Sequence, residues 1–254
     1  MIYIKDKKEI KIMREAGEIL ADILNKVITN VESGISTYKL NEIAESLIQK
    51  ANVEPAFKGF ESNGKVFPAA LCTSVNDEVV HGIPSKDRIL KKGDIIGIDC
   101  GIKLKGFYSD MAKTIPVGKP NKKTEKLLVI ARECLEKGIN AAQKGCHLGD
   151  VSHAIQSHAE KNGFSVVRTL TGHGVGKNLH EDPTVFNYGK PETGPVLENG
   201  MTMALEPMIN IGKSEVKTKE DGWTMVTKDS SLSAHFEHTI LIQDNQAEIL
   251  TRVQ

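Results

Sequence analysis

The 254 residues carry 33 basic and 33 acidic side chains, so the formal net charge is zero and no global positive field is available to hold nucleic acid. Hydrophobic residues at 39% and charged residues at 26% are ordinary for a folded globular chain, which excludes intrinsic disorder. No apolar run approaches the roughly 20 residues of a membrane span, and the charged N-terminal stretch lacks the apolar core of a signal peptide.

In chain order, Ile12, Ala16, Ile19, Leu20, Ile23, Leu24 and Val27 recur at three- and four-residue steps and predict a first helix. Ser33-Gly34 breaks it. Thr37 is placed to cap a second helix with Leu40, Ile43, Ala44, Leu47 and Ile48 on one face. The arrangement returns 111 positions later: Leu127, Ile130, Ala131, Cys134 and Leu135, then Gly145, Val151, Ala154 and Ile155. Two helix pairs joined by a glycine turn suggest a duplication, with a ligand site between the halves. Strands are expected at 70–74, 95–101, 107–117, 165–171, 201–211, 223–227 and 234–243, with loops at 116–120 and 189–195. Short glycine-containing gaps between several strands favour hairpins and an antiparallel α+β core in a single domain, 1–254. Cys72, Cys100, Cys134 and Cys146 form no C-x-x-C pair and read as reduced thiols of a cytoplasmic protein.

The informative feature is acid inside apolar strands. Asp99 ends Ile95–Ile98, and Asp110 interrupts Phe107–Ala112. Glu206 follows Met201–Leu205, and Glu237 sits within Ala234–Ile240. Carboxylates are depleted in strands, and an unpaired buried one is costly. A two-residue loop at Leu104-Lys105 would put Asp99 directly opposite Asp110, whereas a loop at Lys105-Gly106 would put it opposite Ala112. Either register leaves both acids on one face. His173 stands in Thr171–Gly176, a Gly-x-Gly-x-Gly spacing with no good helix after it, so a dinucleotide fingerprint is rejected. His81 lies in a Val-His-Gly-Ile-Pro frame and His180 seven residues after His173. His147, His153, His158, His235 and His238 lack such frames and read as surface or packing residues. Four carboxylates with one imidazole describe an oxygen-rich site for divalent ions such as Mn²⁺, Fe²⁺, Co²⁺ or Zn²⁺.

The segments VNDEVVHGIP, GDIIGIDCGIKLKGFYSDMAKTIPVG, TGHGVGKNLHEDP, MTMALEPMI and SLSAHFEHTILI, in that order, closely resemble the type I bacterial methionine aminopeptidases. That resemblance implies the α/β pita-bread fold: two pseudo-symmetric halves, with antiparallel sheets backed by helices, clasping a central dinuclear metal site. It implies two divalent cations, whose identity the sequence leaves open, on Asp99, Asp110, His173, Glu206 and Glu237, with Asp110 and Glu237 bridging. It gives His81 and His180 the contacts to substrate, and Glu206 is the candidate to shuttle a proton from the water to the leaving amine.

Phe67, Cys72 and Trp223 fit the family's methionine pocket. Leu179 stands where phenylalanine is common, and 57–67 looks longer than usual. The implied activity is removal of the initiator methionine from newly made polypeptides when the second residue is small. The expected enzyme is a cytoplasmic monomer with no membrane or sequence-specific nucleic-acid partner, and the ribosome is the further partner to consider. A proline-specific aminopeptidase and a non-catalytic peptide-binding pita-bread domain are the alternatives.

Overall fold

The computed structural model describes residues 2–62 and 64–253. Helix α1 (Lys7–Ile28) starts at a capping box: the Asp6 carboxylate accepts from the Lys8 and Glu9 amides, and Glu9 accepts from the Asp6 amide at 2.9 Å. Helix α2 (Thr37–Lys50) is capped by Ser36, not by Thr37, which forms its first turn. Helices α3 (Lys122–Ala141) and α4 (Leu148–Lys161) follow. No helix among the described residues is long and apolar enough to cross a membrane.

The repeat is legible in the burial. In α2 the residues Thr37, Leu40, Asn41, Ala44 and Ile48 are buried; at the same offset in α4, so are Leu148, Val151, Ser152, Ile155 and Ala159. The turns entering these helices match as well. Gly34 (φ +100°) and Gly145 (φ +86°) both need the left-handed region, and their amides donate to the carbonyls of Leu90 and Leu197. The Leu90 amide returns a bond to Ile35 O and the Leu197 amide to Cys146 O. One core packs α1 and α2 against Ile96, Ile98 and Ile102. The other packs α3 and α4 against Met203, Leu205 and Ile240.

The sheets are antiparallel, as expected. Ile95–Leu104 pairs with Leu71–Val75, Glu54–Pro55 and Phe107–Pro116. A five-stranded sheet runs in the order Glu181–Phe186, Thr171–Gly174, Thr202–Leu205, His238–Leu241, Glu248–Ile249. The strands Ser233–His235, Met208–Asn210 and Ser165–Val166 make a smaller sheet, and Val216–Thr218, Met225–Thr227 and Glu78–Val80 another. A short hairpin pairs Glu61–Ser62 with Lys65–Val66.

Three strands expected to be continuous are broken. The run 201–211 divides at Glu206-Pro207, 234–243 at Phe236-Glu237, and 165–171 ends at Val166. Pro207 has no amide to continue the ladder, so the chain leaves the five-stranded sheet there and Met208–Asn210 joins the smaller one. At the second break the Glu237 amide donates to Ala112 O of the opposite half at 2.9 Å. His173, expected to follow a strand, lies inside one.

The hairpin loop between the two long strands is Lys105-Gly106, with φ of +49° and +87°, as a tight turn matching strand twist requires. Asp99 therefore faces Ala112 and Asp110 faces Gly101, the second of the two registers considered.

The halves are stitched by two threonines. Thr239 Oγ1 donates to the Asp110 carbonyl at 2.9 Å and accepts from the Asp110 amide at 3.0 Å. Thr114 Oγ1 does the same for His235, both at 2.8 Å. With Glu237 N–H on Ala112 O between them, the two strands that carry acids are joined across the molecule.

Candidate metal centre

The candidate ligands come from three strands and two strand ends. Asp99 sits mid-strand between Cys72 and Ala112. Asp110 lies on the neighbouring strand, its Oδ1 accepting from the Met111 amide at 3.0 Å. Glu206 and Glu237 occupy the corners where their strands change sheets. His173 is reached through glycines on both sides: a Cβ at Gly172 would lie 2.4 Å from Ala204 O, and one at Gly174 would lie 2.1 Å from Asp182 O. Glycine there allows the strand to approach its neighbours closely enough to bring the imidazole to the acids.

One ligand atom each from Asp110, His173 and Glu237 lies within 4.8 Å of the others. Glu206 spans two imidazoles, with Oε1 at 3.5 Å from His173 Nε2 and Oε2 at 3.4 Å from His235 Nε2. His173 Nδ1 lies 2.9 Å from Gly174 O, which assigns the proton to Nδ1 and leaves the Nε2 lone pair facing the acids.

Burial dominates the electrostatics. It raises the pKa of Asp110 and of Glu206 to about 8, with the Glu206 charge adding to the effect on Asp110. Asp99 and Glu237 are pushed well above the carboxylate range by burial and by the neighbouring acids. Burial lowers His173 and His235 to about 3, so both are neutral at physiological pH. Buried Asp99 Oδ1, Glu237 Oε1 and His235 Nε2 have no hydrogen-bond partner among the described residues. Unpaired acceptors, crowded acids and a neutral imidazole with its lone pair turned inward fit a divalent cation, which replaces the missing positive charge. That chemistry places the chain among proteins that hold divalent cations mainly through oxygen ligands.

A cavity of about 410 Å³ gathers every residue singled out for the site: Phe67, Cys72, His81, Asp99, Asp110, His173, Leu179, His180, Glu206, Trp223 and Glu237. Its floor is acid and its wall apolar. Phe67 meets Trp223 edge to face at 5.3 Å, and Leu179 and Cys72 are buried beside them. His81 and His180 stand at the mouth. His81 takes φ +59°, and Gly82 after it fits because a Cβ would lie 2.2 Å from Thr73 O. His180 packs edge-on against His173 at 4.4 Å and Phe60 at 5.4 Å. Burial lowers the pKa of both mouth histidines, and for His81 the neighbouring His235 and His180 add to the effect.

Sequence reasoning missed two groups. His235, read as a surface or packing residue, is 3% exposed and aimed at Glu206. Its signal was the two-residue step from His235 to Glu237 in one strand run, which puts both on one face. Phe57 and Phe60, in the 57–67 stretch, and the distant Leu170 and Met225 also line the cavity. Leu170 and Met225 carry no local pattern that marks them as lining.

The chain belongs to metallopeptidase family M24, whose model matches residues 11–244, and it has that family's pita-bread fold. It is 49% identical to methionine aminopeptidase 1 of Bacillus subtilis over 100% of both chains. The crystal structure of a methionine aminopeptidase from Thermotoga maritima superposes with TM-score 0.96 at 47% identity, covering 99% of this chain and 100% of that one. A prolidase from Pyrococcus horikoshii is more distant, with TM-score 0.79 and 26% identity over 99% of this chain and 64% of its own.

Proposed function

We propose that the chain is a metal-dependent methionyl aminopeptidase that removes the first methionine of newly made polypeptides whose second residue is small. The observation that carries the reading is one cavity with two chemistries: an apolar wall and, against it, the acid cluster. At about 410 Å³ it has room for a methionine side chain with its α-amine and scissile carbonyl beside the acids. Methionine suits the wall, because its flexible thioether packs favourably against aromatic edges such as Phe67 and Trp223.

Asp99, Asp110, His173, Glu206 and Glu237 would hold two divalent cations (cobalt, manganese, iron or zinc). Such ions supply Lewis acidity and a water of lowered pKa. Glu206 takes the proton of the attacking water on a carboxylate oxygen and delivers it to the leaving amine. Its place in the cavity, 3.5 Å from His173 and 3.4 Å from His235, suits that exchange. His180, neutral and at the mouth, donates to the carbonyl oxygen as charge builds there. His81, held by Gly82 on the facing rim, positions the scissile amide.

Both halves contribute ligands, which supports a single catalytic domain, and one chain furnishes the whole set, which supports action as a monomer. Four unpaired cysteines suit the cytoplasm, where new chains appear.

The test is hydrolysis of Met-Ala-Ser and Ala-Pro-Ser by chelated protein reloaded with Mn²⁺ or Co²⁺. Methionine release that requires the ion, with little cleavage of the proline peptide, is expected. Preference for Ala-Pro-Ser, or inertness in every ion, overturns the assignment.

A further inference from the structure

The turn Gly176–Glu181 places Leu179 in the pocket wall and His180 at the mouth, yet its internal bonding is slight. The Gly176 amide donates to Asn178 O, and the Asn178 amide donates to Glu181 Oε1 at 3.0 Å. Its ends are held by the backbone, Gly176 O accepting from the Tyr108 amide at 2.7 Å and Glu181 pairing with Gly174, while its buried side-chain anchor comes from a residue 176 positions away. Lys5 Nζ donates to Glu181 Oε2 at 2.8 Å and to Tyr3 O at 3.2 Å, and the two paired side chains are 1% and 9% exposed. The Lys5 amide is itself fixed on Gly200 O at 2.9 Å. The lysine stem fills the space beneath the turn: a Cβ at Gly176 would lie 2.5 Å from Lys5 Cε and 2.9 Å from Glu181 Oε2. A second tether, Lys177 to Tyr3 Oη at 2.7 Å and to Glu9 Oε1 at 2.9 Å, is open to solvent, and exposed pairs of that kind contribute little.

A buried ion pair is a poor source of stability, since apolar side chains of similar volume do as well or better. What it provides here is orientation. One Glu181 oxygen is held by Lys5 while the other holds the Asn178 amide, so the carboxylate fixes both ends of the segment that bears His180. We propose that Lys5 and Glu181 are positioning residues for His180, holding its turn in the geometry the reaction needs. The proposal rests on the reading of His180 as the donor to the carbonyl oxygen.

The test uses the full chain loaded with Mn²⁺ and the paired substitution Lys5→Met with Glu181→Leu, which keeps volume and burial but removes orientation. Steady-state kinetics on Met-Ala-Ser, the thermal midpoint and amide hydrogen exchange at Asn178 are read together. The expected result is a folded protein whose kcat falls by about 10–100-fold with KM nearly unchanged, the scale of a misplaced catalytic group. Exchange at Asn178 accelerates at least about tenfold, as local opening of the turn requires. In a His180→Ala background the same pair costs no further kcat, because the two act through one group. Lys177→Ala leaves all readouts near the starting values.

Unchanged kcat or unchanged Asn178 exchange in the folded paired variant overturns the proposal, as does an equal loss in the His180→Ala background. Should the paired variant not fold, Lys5→Arg, whose bulkier head cannot fit beneath Gly176, is judged by the same criteria. A starting protein inert on Met-Ala-Ser defeats the functional reading instead, while Asn178 exchange still reports whether the pair holds the turn.

Discussion

On the proposed reading Glu206 carries the proton, and His235 holds Glu206 in place. Glu206 lies between two neutral imidazoles, 3.5 Å from His173 and 3.4 Å from His235, and its carboxylate is the proton carrier that the proposed reaction needs. Glu206→Gln keeps the shape and removes that capacity. Its kcat on Met-Ala-Ser is expected to fall by about 10²–10⁴-fold, the usual contribution of general acid–base catalysis. A variant within tenfold of the starting kcat would take the proton transfer away from Glu206. His235 acts at one remove. Its backbone is pinned on Thr114, and its Nε2 faces Glu206 Oε2 with 4.0 Å to Glu237 Oε2. His235→Ala is expected to weaken Mn²⁺ binding or activity by about 10–100-fold, the range for groups that orient a ligand. Titration calorimetry alongside kinetics checks it, and unchanged affinity and rate would return His235 to the packing role its sequence context suggested.

Among the elements, the strands that meet across the molecule decide whether the acids converge. Thr239 satisfies both backbone groups of Asp110 inside the protein, so Thr239→Val leaves a buried amide and carbonyl without that partner. Each unsatisfied group costs about 1–3 kcal/mol. A loss of about 2 kcal/mol lowers the thermal midpoint by about 4–8 °C in a chain of this size. Thr114→Val cuts the matching bonds at His235, so its midpoint falls alike while Mn²⁺ affinity falls less, because that link holds the backbone of a residue that orients a ligand and not of a candidate ligand itself. Calorimetric midpoints and Mn²⁺ titrations of the two variants check this, and equal affinities would show that the stitch does not place Asp110.

These links also mark the limit of what the chain discloses as text. The helix pairs were legible because 3.6-residue periodicity is local, and Asp99 and Asp110 because a tight hairpin fixes which face they share. The breaks at Glu206-Pro207 and Phe236-Glu237 were not, since apolar residues flank both and the change of sheet is set by contacts between halves. Pro207 was the one local sign. The five ligand candidates were visible as acids in the wrong surroundings and a histidine between glycines. His235 was hidden because its partner, Glu206, approaches only through folding.

At the scale of the whole molecule, the buried acids make the chelated protein sensitive to pH in a direction that can be worked out. The buried histidines pull the other way: their ordinary value is 6.5, and folding lowers His173 and His235 to about 3. Their opposing contribution therefore fades as the unfolded imidazoles lose their protons between about pH 6.5 and 7.5. Asp110 and Glu206 still matter there, because folding raises them to about 8 from 3.8 and 4.5. Between about pH 6.5 and 8 the folded chain holds protons that the unfolded chain has released, so stability declines as pH rises through that window. Asp99 and Glu237 shift in the same direction. Below pH 6.5 the histidines oppose this, since the unfolded chain then binds protons that the folded chain refuses. Bound Mn²⁺ replaces the protons on the acids and cancels the decline. Thermal midpoints of chelated and Mn²⁺-loaded protein at pH 6.5, 7.0, 7.5 and 8.0 are thus expected to diverge, the chelated curve falling and the loaded one staying flat. A chelated midpoint that holds or climbs over that range would mean the four carboxylates are not crowded together in the absence of cations, and the case for a shared metal centre would fail with it.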